Sequence, residues 1–350
     1  GIIEVVFFSL TERPEDIKVA VVGYGAAFNM GQHHLNGMKR VGMVPVAVAD
    51  IDPSRLPVAK EDFPGIRTFD SATEMLANCD VDLVGVITPH DTHADLAIEC
   101  LEAGKHVVTE KPFVITTAEA DAVIKTAKEH DVMISVHHNR HWDGCILNAA
   151  EKINAGLIGD VIRVEAHSGT YSAPRDWWRA SKSISGGVNY DWGAHFLEYA
   201  LQIIDSDVVE VTGFAKYGCW EPVSPWGKDT VEDDTYTVIR FASGQCMTLL
   251  ITRIESHPRA GWFDITGTQG SFHFSHQDWH ATIQEKGGHV VRHGASPRSE
   301  SGRFYENIAA HLTSGEPLII TAEWARRNVH IMDLADRSSR EGKTLKATYV

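Results

Sequence analysis

The chain has 350 residues, a length that favours about two domains at roughly 150 residues each. Its formal net charge of −15 disfavours nucleic acid and anionic membranes as partners, and no run reaches the ~18 apolar residues that a membrane helix needs. Five scattered cysteines without a Cys-x-x-Cys pair disfavour a disulfide framework and a thiolate zinc site. The largely apolar residues 1–8 are short and lack the basic region and the small-residue cleavage site of a signal peptide, so we expect a cytoplasmic protein.

The first 135 or so residues alternate short apolar runs with helical patterns. The predicted strands cover residues 17–22, 44–49, 83–87, 106–109 and 132–136. The predicted helices cover residues 32–40, 92–103 and 117–129, the last with Thr116 or Thr117 as its cap. Strands that alternate with helices predict a parallel, doubly wound sheet.

The pattern changes after about residue 160. Long segments of alternating polarity cover residues 161–167, 208–214, 235–241, 245–254 and 262–274. Such alternation predicts a large, mostly antiparallel sheet with one buried face. Helical periodicity appears at residues 143–155 and returns at residues 322–340.

The motif Gly23-Tyr24-Gly25 lies between a predicted strand and a predicted helix. In this context a Gly-x-Gly turn lets the backbone approach a pyrophosphate at a helix N-terminus. The third glycine of the common fingerprint is replaced by Phe28, and the next glycine is Gly31, so the loop carries extra residues. A tight turn without a ligand is the alternative.

Asp50 is the first acidic residue after the second predicted strand. A carboxylate there accepts hydrogen bonds from the adenosine ribose hydroxyls and repels a 2′-phosphate. We therefore expect NAD as the cofactor, with NADP disfavoured, although Arg55 follows closely. Asp50 as a helix cap is the alternative, and Asp52 suits that role better.

Two further motifs carry candidate chemistry. Glu110-Lys111-Pro112 follows a predicted parallel strand, at the edge where such sheets bind ligands, so Lys111 can reach a substrate oxygen. Asp191 and His195 are four residues apart and share one face if the segment is helical, which lets the carboxylate orient the imidazole. A surface lysine is the alternative for Lys111.

Taken in order, these motifs resemble the Gfo/Idh/MocA family of glucose–fructose oxidoreductases and inositol dehydrogenases. The resemblance spans residues 17–344 and also includes Thr88-Pro89 with His93, Gly186-Gly187, and Arg337-Ser338 with Gly342. It implies an N-terminal Rossmann domain at residues 17–140, after an extension at 1–16. It further implies a C-terminal α+β domain at residues 141–350, with a large open sheet used for oligomerisation.

The resemblance also implies roles for individual residues. Lys111 and His195 are expected to be catalytic, with Asp191 supporting. The expected cofactor-binding residues are Gly23, Gly25, Phe28, Asn29, Asp50, Thr88, His93, Glu110, Asn139 and Arg140. The expected substrate-binding residues are Lys111, Trp178, Arg179, Asn189, Tyr190, Asp191 and His195.

The 19 histidines include pairs that look like metal ligands at 90/93, 138/141 and 276/280. Metal sites need several convergent ligands, and each pair has an independent explanation as a family motif or as surface, so we expect no metal.

Three functions follow from the resemblance. The first is an NAD-dependent dehydrogenase acting on a secondary alcohol of a sugar, inositol or glycoside. The second is an NAD-retaining lyase or glycosidase that oxidises its sugar transiently. The third is a non-catalytic NAD or sugar sensor, which the intact set of Lys111, Asp191 and His195 disfavours. A homodimer or homotetramer is expected.

Overall fold

The computed structural model describes residues 13–349. Its contacts divide the chain into two compact units: residues up to 138 together with 302–326, and residues 139–301 together with 327 onward. The domain boundaries expected at 16/17 and 140/141 stay predictions, and most of the expected N-terminal extension lies outside the described residues.

The first unit contains a six-stranded parallel sheet. Its strands are β1 (Lys18–Val22), β2 (Val44–Ala49), β3 (Arg67–Phe69), β4 (Leu83–Val86), β5 (His106–Glu110) and β6 (Ile134–His137). Their order is β3-β2-β1-β4-β5-β6, and every neighbouring pair is parallel. Its helices include α1 (Met30–Arg40), α2 (Leu56–Asp62), α3 (Ala72–Asn78), α4 (His93–Glu102) and α5 (Thr117–Glu129). This confirms the predicted doubly wound parallel sheet.

The sheet forms where it does because its central strands are apolar on both sides. Residues 19–21 of β1 are completely buried, as a strand covered by helices on both faces requires. Helix α5 begins as predicted, because the Thr116 hydroxyl accepts the Glu119 N–H and the Glu119 carboxylate accepts the Thr116 N–H. The strand β3 and the short helices α2 and α3 were not predicted.

The second unit contains a nine-stranded sheet. Its strands are β7 (Val161–Gly169), β8 (Val208–Lys216), β9 (Asp234–Phe241), β10 (Cys246–Thr252), β11 (Phe263–Gly267), β12 (Gly270–Phe274), β13 (Asp278–Glu285), β14 (Gly288–Ala295) and β15 (Leu345–Lys346). Their order is β14-β13-β12-β11-β7-β10-β9-β8-β15, and only β7 and β10 pair in parallel. The predicted mostly antiparallel sheet is therefore confirmed.

One predicted strand was wrong. The alternating segment 262–274 is a hairpin of β11 and β12 rather than one long strand. The turn between the two strands has a glycine at each end, and neither position has room for a side chain. A Cβ on Gly267 would lie 2.2 Å from the Ile158 carbonyl oxygen, and a Cβ on Gly270 would lie 2.5 Å from the Thr282 carbonyl oxygen. The paired glycines were the visible signal of the turn.

Helices cover one face of this sheet. Helix α8 (Trp192–Ile203) packs on β7 and β10, and α6 (Gly144–Asn154) packs on β12. The short α7 (Lys182–Ser185) lies between them in the chain. Residues of β7, β10 and β11 that point to these helices are buried, whereas Phe214 and Tyr236 on neighbouring strands stay exposed. The sheet thus has one core face and one partly exposed face.

The last two helices are α9 (Arg303–Ser314) and α10 (Ala322–Glu341). Helix α9 belongs to the first unit, although it follows the strands of the second in the chain. Among residues 13–349 no helix combines the length and the apolar character that crossing a membrane requires. All five cysteines are free thiols, and of these Cys219 is exposed.

Candidate functional site

The glycine turn after β1 depends on close backbone packing. Gly23 has φ +99°, and a Cβ there would lie 2.0 Å from the carbonyl oxygen of Ile87, so no other residue fits. A Cβ on Gly31 would meet Gly23 O and the Tyr24 ring at 2.7 Å, so Gly31 lets α1 approach the strand. Gly31 therefore allows the close packing of helix and strand that the third glycine of the common fingerprint allows at position 28.

A ligand has room at this turn. A Cβ on Gly25 would meet nothing within 4 Å, and Phe28 is exposed. Asn29 adopts a left-handed conformation (φ 50°) at the N-cap of α1, and its side chain makes no cap hydrogen bond. An open loop before an uncapped helix start fits a pyrophosphate, which binds backbone N–H groups at such positions.

The Asp50 carboxylate faces the same turn. It accepts the Tyr24 N–H at 2.6 Å and the Asp52 N–H at 2.8 Å. Asp52 instead caps the following turn by accepting the Ser54 N–H at 3.0 Å, which resolves the choice between the two acids as capping residues. Arg55 Nε donates to the Tyr24 carbonyl at 2.7 Å, so a cation also lies beside the turn.

His93 joins the two loops that follow β4 and β5. Its Nε2 lies 2.8 Å from the Thr88 carbonyl, and its Nδ1 lies 2.9 Å from that of Pro112 and 3.2 Å from that of Phe113. The ring is completely buried; burial lowers the pKa of His93, and the carbonyl contacts oppose that shift. His93 therefore fixes the loop that contains Lys111, while a direct contact of Thr88 or His93 with a cofactor stays a prediction.

Glu110 ends β5 at the carboxyl edge of the parallel sheet, and Lys111 follows it. Lys111 is only 9% exposed. The Glu110 carboxylate contacts His34 Nε2 from α1 and lies 3.2 Å from His137 Nδ1 at the end of β6. Burial alone would raise the pKa of Glu110, but the two histidines outweigh it and hold that pKa well below its usual range.

In the second unit, four predicted residues lie on one short segment. Asn189 and Tyr190 are buried in a 3₁₀ turn, Asp191 is the N-cap of α8, and His195 is the fourth residue of that helix. The Asn189 amide oxygen accepts the Thr235 hydroxyl at 2.9 Å. The contact expected between Asp191 and His195 stays a prediction.

A partly buried cluster of one lysine and two carboxylates anchors the backbone just before this segment. Lys182 Nζ donates to Glu232 at 2.6 Å and to Asp336 at 2.8 Å. The other oxygen of Glu232 accepts the Val188 N–H at 2.9 Å. Gly187 has φ +129°, and a Cβ there would lie 2.5 Å from the Glu232 carboxylate. The Gly186-Gly187 pair thus lets the chain pass close to this carboxylate, which holds the turn that carries Asn189.

Three other predicted residues make contacts within the second unit. Arg140 Nη1 donates to Asp143 at 2.9 Å, and its guanidinium lies over the Trp192 ring at 5.0 Å. Arg179 lies over the Trp178 ring at 4.4 Å. Asn139 starts the 3₁₀ turn before α6 and is partly exposed.

An arginine near Asp191 was missed, together with a second arginine that acts on it. Burial lowers the pKa of the Arg253 guanidinium, the Asp191 carboxylate opposes that shift, and Arg175 adds to it. Neither arginine lies in a motif, because Arg253 follows β10 and Arg175 lies in the loop after β7. Only the fold brings the charges of Asp191 and Arg175 near Arg253.

The parallel sheet, its glycine turn and the acid after β2 define a dinucleotide-binding oxidoreductase with a second α/β unit. Residues 17–138 match the model of the GFO_IDH_MocA oxidoreductase family, NAD-binding Rossmann fold, and residues 146–273 match the GFO/IDH/MocA C-terminal domain. The chain belongs to the Gfo/Idh/MocA family.

Relatives extend over nearly the whole chain. It is 24% identical to a scyllo-inositol 2-dehydrogenase (NADP(+)) of Bacillus subtilis (strain 168), over 95% of this chain and 96% of the relative. It is 25% identical to a scyllo-inositol 2-dehydrogenase (NAD(+)) of the same strain, over 93% and 95%. The fold is shared with a levoglucosan dehydrogenase solved with NADH and levoglucosan (TM-score 0.80, 21% identity, 94% of this chain and 99% of that chain).

Proposed function

We propose that the protein oxidises or reduces a secondary CH–OH group of a sugar, an inositol or a glycoside with NAD. The observation that carries the proposal is Lys111, a buried lysine at the carboxyl edge of a Rossmann sheet, in a loop fixed by His93. A buried ammonium at that edge is suited to hold a substrate oxygen. The named relatives, which act on scyllo-inositol and levoglucosan, support a cyclic polyol or sugar as substrate.

Each residue has a distinct task in this proposal. A bound nicotinamide supplies the acceptor or donor of hydride. His195 takes the hydroxyl proton during oxidation, and Asp191 orients its ring. Lys111 stabilises the negative charge that develops on the substrate oxygen. Trp178, Arg179, Asn189 and Tyr190 bind the rest of the substrate, while Asn139 and Arg140 lie towards the nicotinamide.

The direct test is an activity screen. The protein is incubated with scyllo-inositol, myo-inositol, levoglucosan, aldoses and glycosides with NAD⁺ or NADP⁺, and reduced nucleotide is followed by absorbance. Turnover of a polyol or sugar with stoichiometric nucleotide reduction supports the proposal. Release of aglycone without net reduction would instead support the NAD-retaining lyase or glycosidase. Nucleotide binding without any turnover would favour a sensor.

We propose NAD rather than NADP, because the Asp50 carboxylate at the glycine turn would repel a 2′-phosphate. The adjacent Arg55 is the feature that favours NADP, and the relatives include one enzyme of each kind. We expect kcat/KM to be about tenfold or more higher with NAD⁺, since juxtaposed like charges cost several kcal/mol. Asp50→Ala should reduce this ratio, whereas Asp52→Ala, in the neighbouring cap, should preserve it. Preferential use of NADP⁺ by the unaltered protein would refute the role of Asp50.

We also propose a homodimer or homotetramer formed through the partly exposed face of the second-unit sheet. Phe214 is 60% exposed and pairs across β8 and β9 with Tyr236, which is 39% exposed. Leu250 continues this row on β10. Covering such an apolar row stabilises an oligomer. Light scattering should therefore give a multiple of 38.6 kDa.

The substitution Phe214→Glu tests the face directly. It should shift the protein towards monomer, while Val223→Glu, at an exposed site outside the sheet, should not. A monomer at every concentration of the unaltered protein would rule the proposal out.

A further inference from the structure

Three potential metal ligands converge inside the first unit. His34 lies in α1, Glu110 ends β5, and His137 ends β6. One ligand atom from each lies within 4.8 Å of the other two. Among residues 13–349 these are the three side chains that form such a group, and they are not one of the histidine pairs apparent in the sequence.

The register of the parallel sheet produces this convergence. Glu110 and His137 are paired residues in neighbouring strands, so their side chains leave the sheet side by side. His34 reaches them from the second turn of α1. All three groups are shielded from water, with His34 completely buried, His137 2% exposed and the Glu110 side chain 13% exposed.

The distances between the three donor atoms are closer to those around a bound metal ion than to those of a complete set of hydrogen bonds. His137 Nδ1 lies 3.2 Å from Glu110 Oε2, yet it is a buried nitrogen that makes no hydrogen bond of acceptable geometry. A separation near that value is what two ligands of one ion show when each bond is about 2.0–2.2 Å long. His34 Nε2 touches the same oxygen, and an ion between them would push the two apart.

A supporting partner holds the His34 ring. Its Nδ1 lies 2.5 Å from the hydroxyl of Tyr305, a buried residue of α9. Metal-binding histidines characteristically use their second nitrogen in such a hydrogen bond, which fixes the ring and directs the other nitrogen at the ion. The Glu110 carboxylate is further positioned by the Lys111 N–H at 3.2 Å.

We propose that His34 Nε2, Glu110 Oε2 and His137 Nδ1 bind a divalent first-row transition-metal ion of the zinc type. Two imidazoles and one carboxylate form a donor set for Zn²⁺ and similar ions, and a dicationic ion neutralises the enclosed carboxylate. The ion takes no part in the hydride transfer proposed above, although its site uses Glu110, which the resemblance assigns to cofactor binding. The proposal also reverses the expectation of no metal drawn from the sequence. Because Glu110 immediately precedes Lys111, the ion would also restrain the loop that contains Lys111.

Co²⁺ is the probe for this site, because its visible absorption reports nitrogen and oxygen coordination. Protein without an affinity tag is treated with chelator, dialysed and titrated with CoCl₂. We expect one equivalent to bind saturably with visible bands, and ZnCl₂ to abolish those bands by displacement. Absence of a saturable stoichiometric signal in the unaltered protein overturns the proposal.

Substitutions then locate the ion. His34→Gln and His137→Gln should each abolish saturable binding, and Tyr305→Phe should weaken it by about 10–100-fold, the effect expected for loss of a supporting partner. His130→Gln removes an exposed imidazole of the same unit and should leave binding unchanged. Circular dichroism of the metal-free proteins separates lost binding from lost folding. Unchanged Co²⁺ affinity in both folded ligand variants would also overturn the proposal.

Discussion

Replacement of Lys111 by alanine is expected to lower kcat by about 10²–10³-fold, the usual effect of removing a group that stabilises developing charge. Nucleotide affinity should change by less than about threefold, because a group that acts mainly in the transition state contributes little to ground-state binding. Lys111 follows β5, two strands from the glycine turn after β1, so its loss leaves the pyrophosphate contacts in place. Steady-state rates and a fluorescence titration of bound NADH measure the two quantities.

The matched control is Lys125→Ala. Lys125 lies on α5 of the same unit and its side chain is 76% exposed, so its removal should leave both the rate and the affinity unchanged. Wild-type turnover in Lys111→Ala would reject the catalytic role. A parallel loss of NADH binding would instead give Lys111 a role in holding the nucleotide.

Replacement of His195 by asparagine is expected to lower kcat/KM for alcohol oxidation by about 10²–10⁴-fold, the range typical of a lost general base. In the unaltered protein the logarithm of kcat/KM should rise with pH and then level off, because only the neutral imidazole accepts a proton. In His195→Asn this rise of kcat/KM with pH, the pH limb of the profile, should be lost together with most of the rate.

The pH profile separates a base from a residue that only shapes the pocket. A structural role would lower the rate and leave the pH limb in place. His289→Asn, on exposed β14 of the same unit, controls for the loss of an imidazole and should retain both. A rate within about threefold of the unaltered protein, with the same limb, would mean that another group takes the proton, and Lys111 would be examined first.

Much of the first unit could be predicted from local patterns. The apolar residues 44–49 and the capped segment 117–129 became β2 and α5 with the predicted ends. The strand 106–109 extended by one residue to Glu110. Strands such as β13 and β14 were missed because few of their side chains are buried, so alternation leaves a weak hydrophobic signal.

Some residues of the candidate site could be predicted from the sequence and others could not. The glycine turn, Lys111 and the Asp191–His195 segment were found because each is a short motif with a fixed relation to a strand or helix. The contact of Arg55 with Tyr24 and the charge of Arg253 near Asp191 were not found. Arg55 and Arg253 belong to no motif, and their positions depend on how distant segments pack.

Local patterns in the chain were sufficient to predict the class of fold, the family and the motif residues, because hydrophobic period, turn glycines and caps act over a few neighbouring positions. Which distant residues meet depends on the three-dimensional packing. The register of β5 and β6 sets Glu110 beside His137, and the packing of α1 against the sheet adds His34. Residues 302–326 also belong to the first unit, and they bring the Tyr305 hydroxyl to the His34 ring. Such contacts follow from strand register and chain path, which no local pattern encodes.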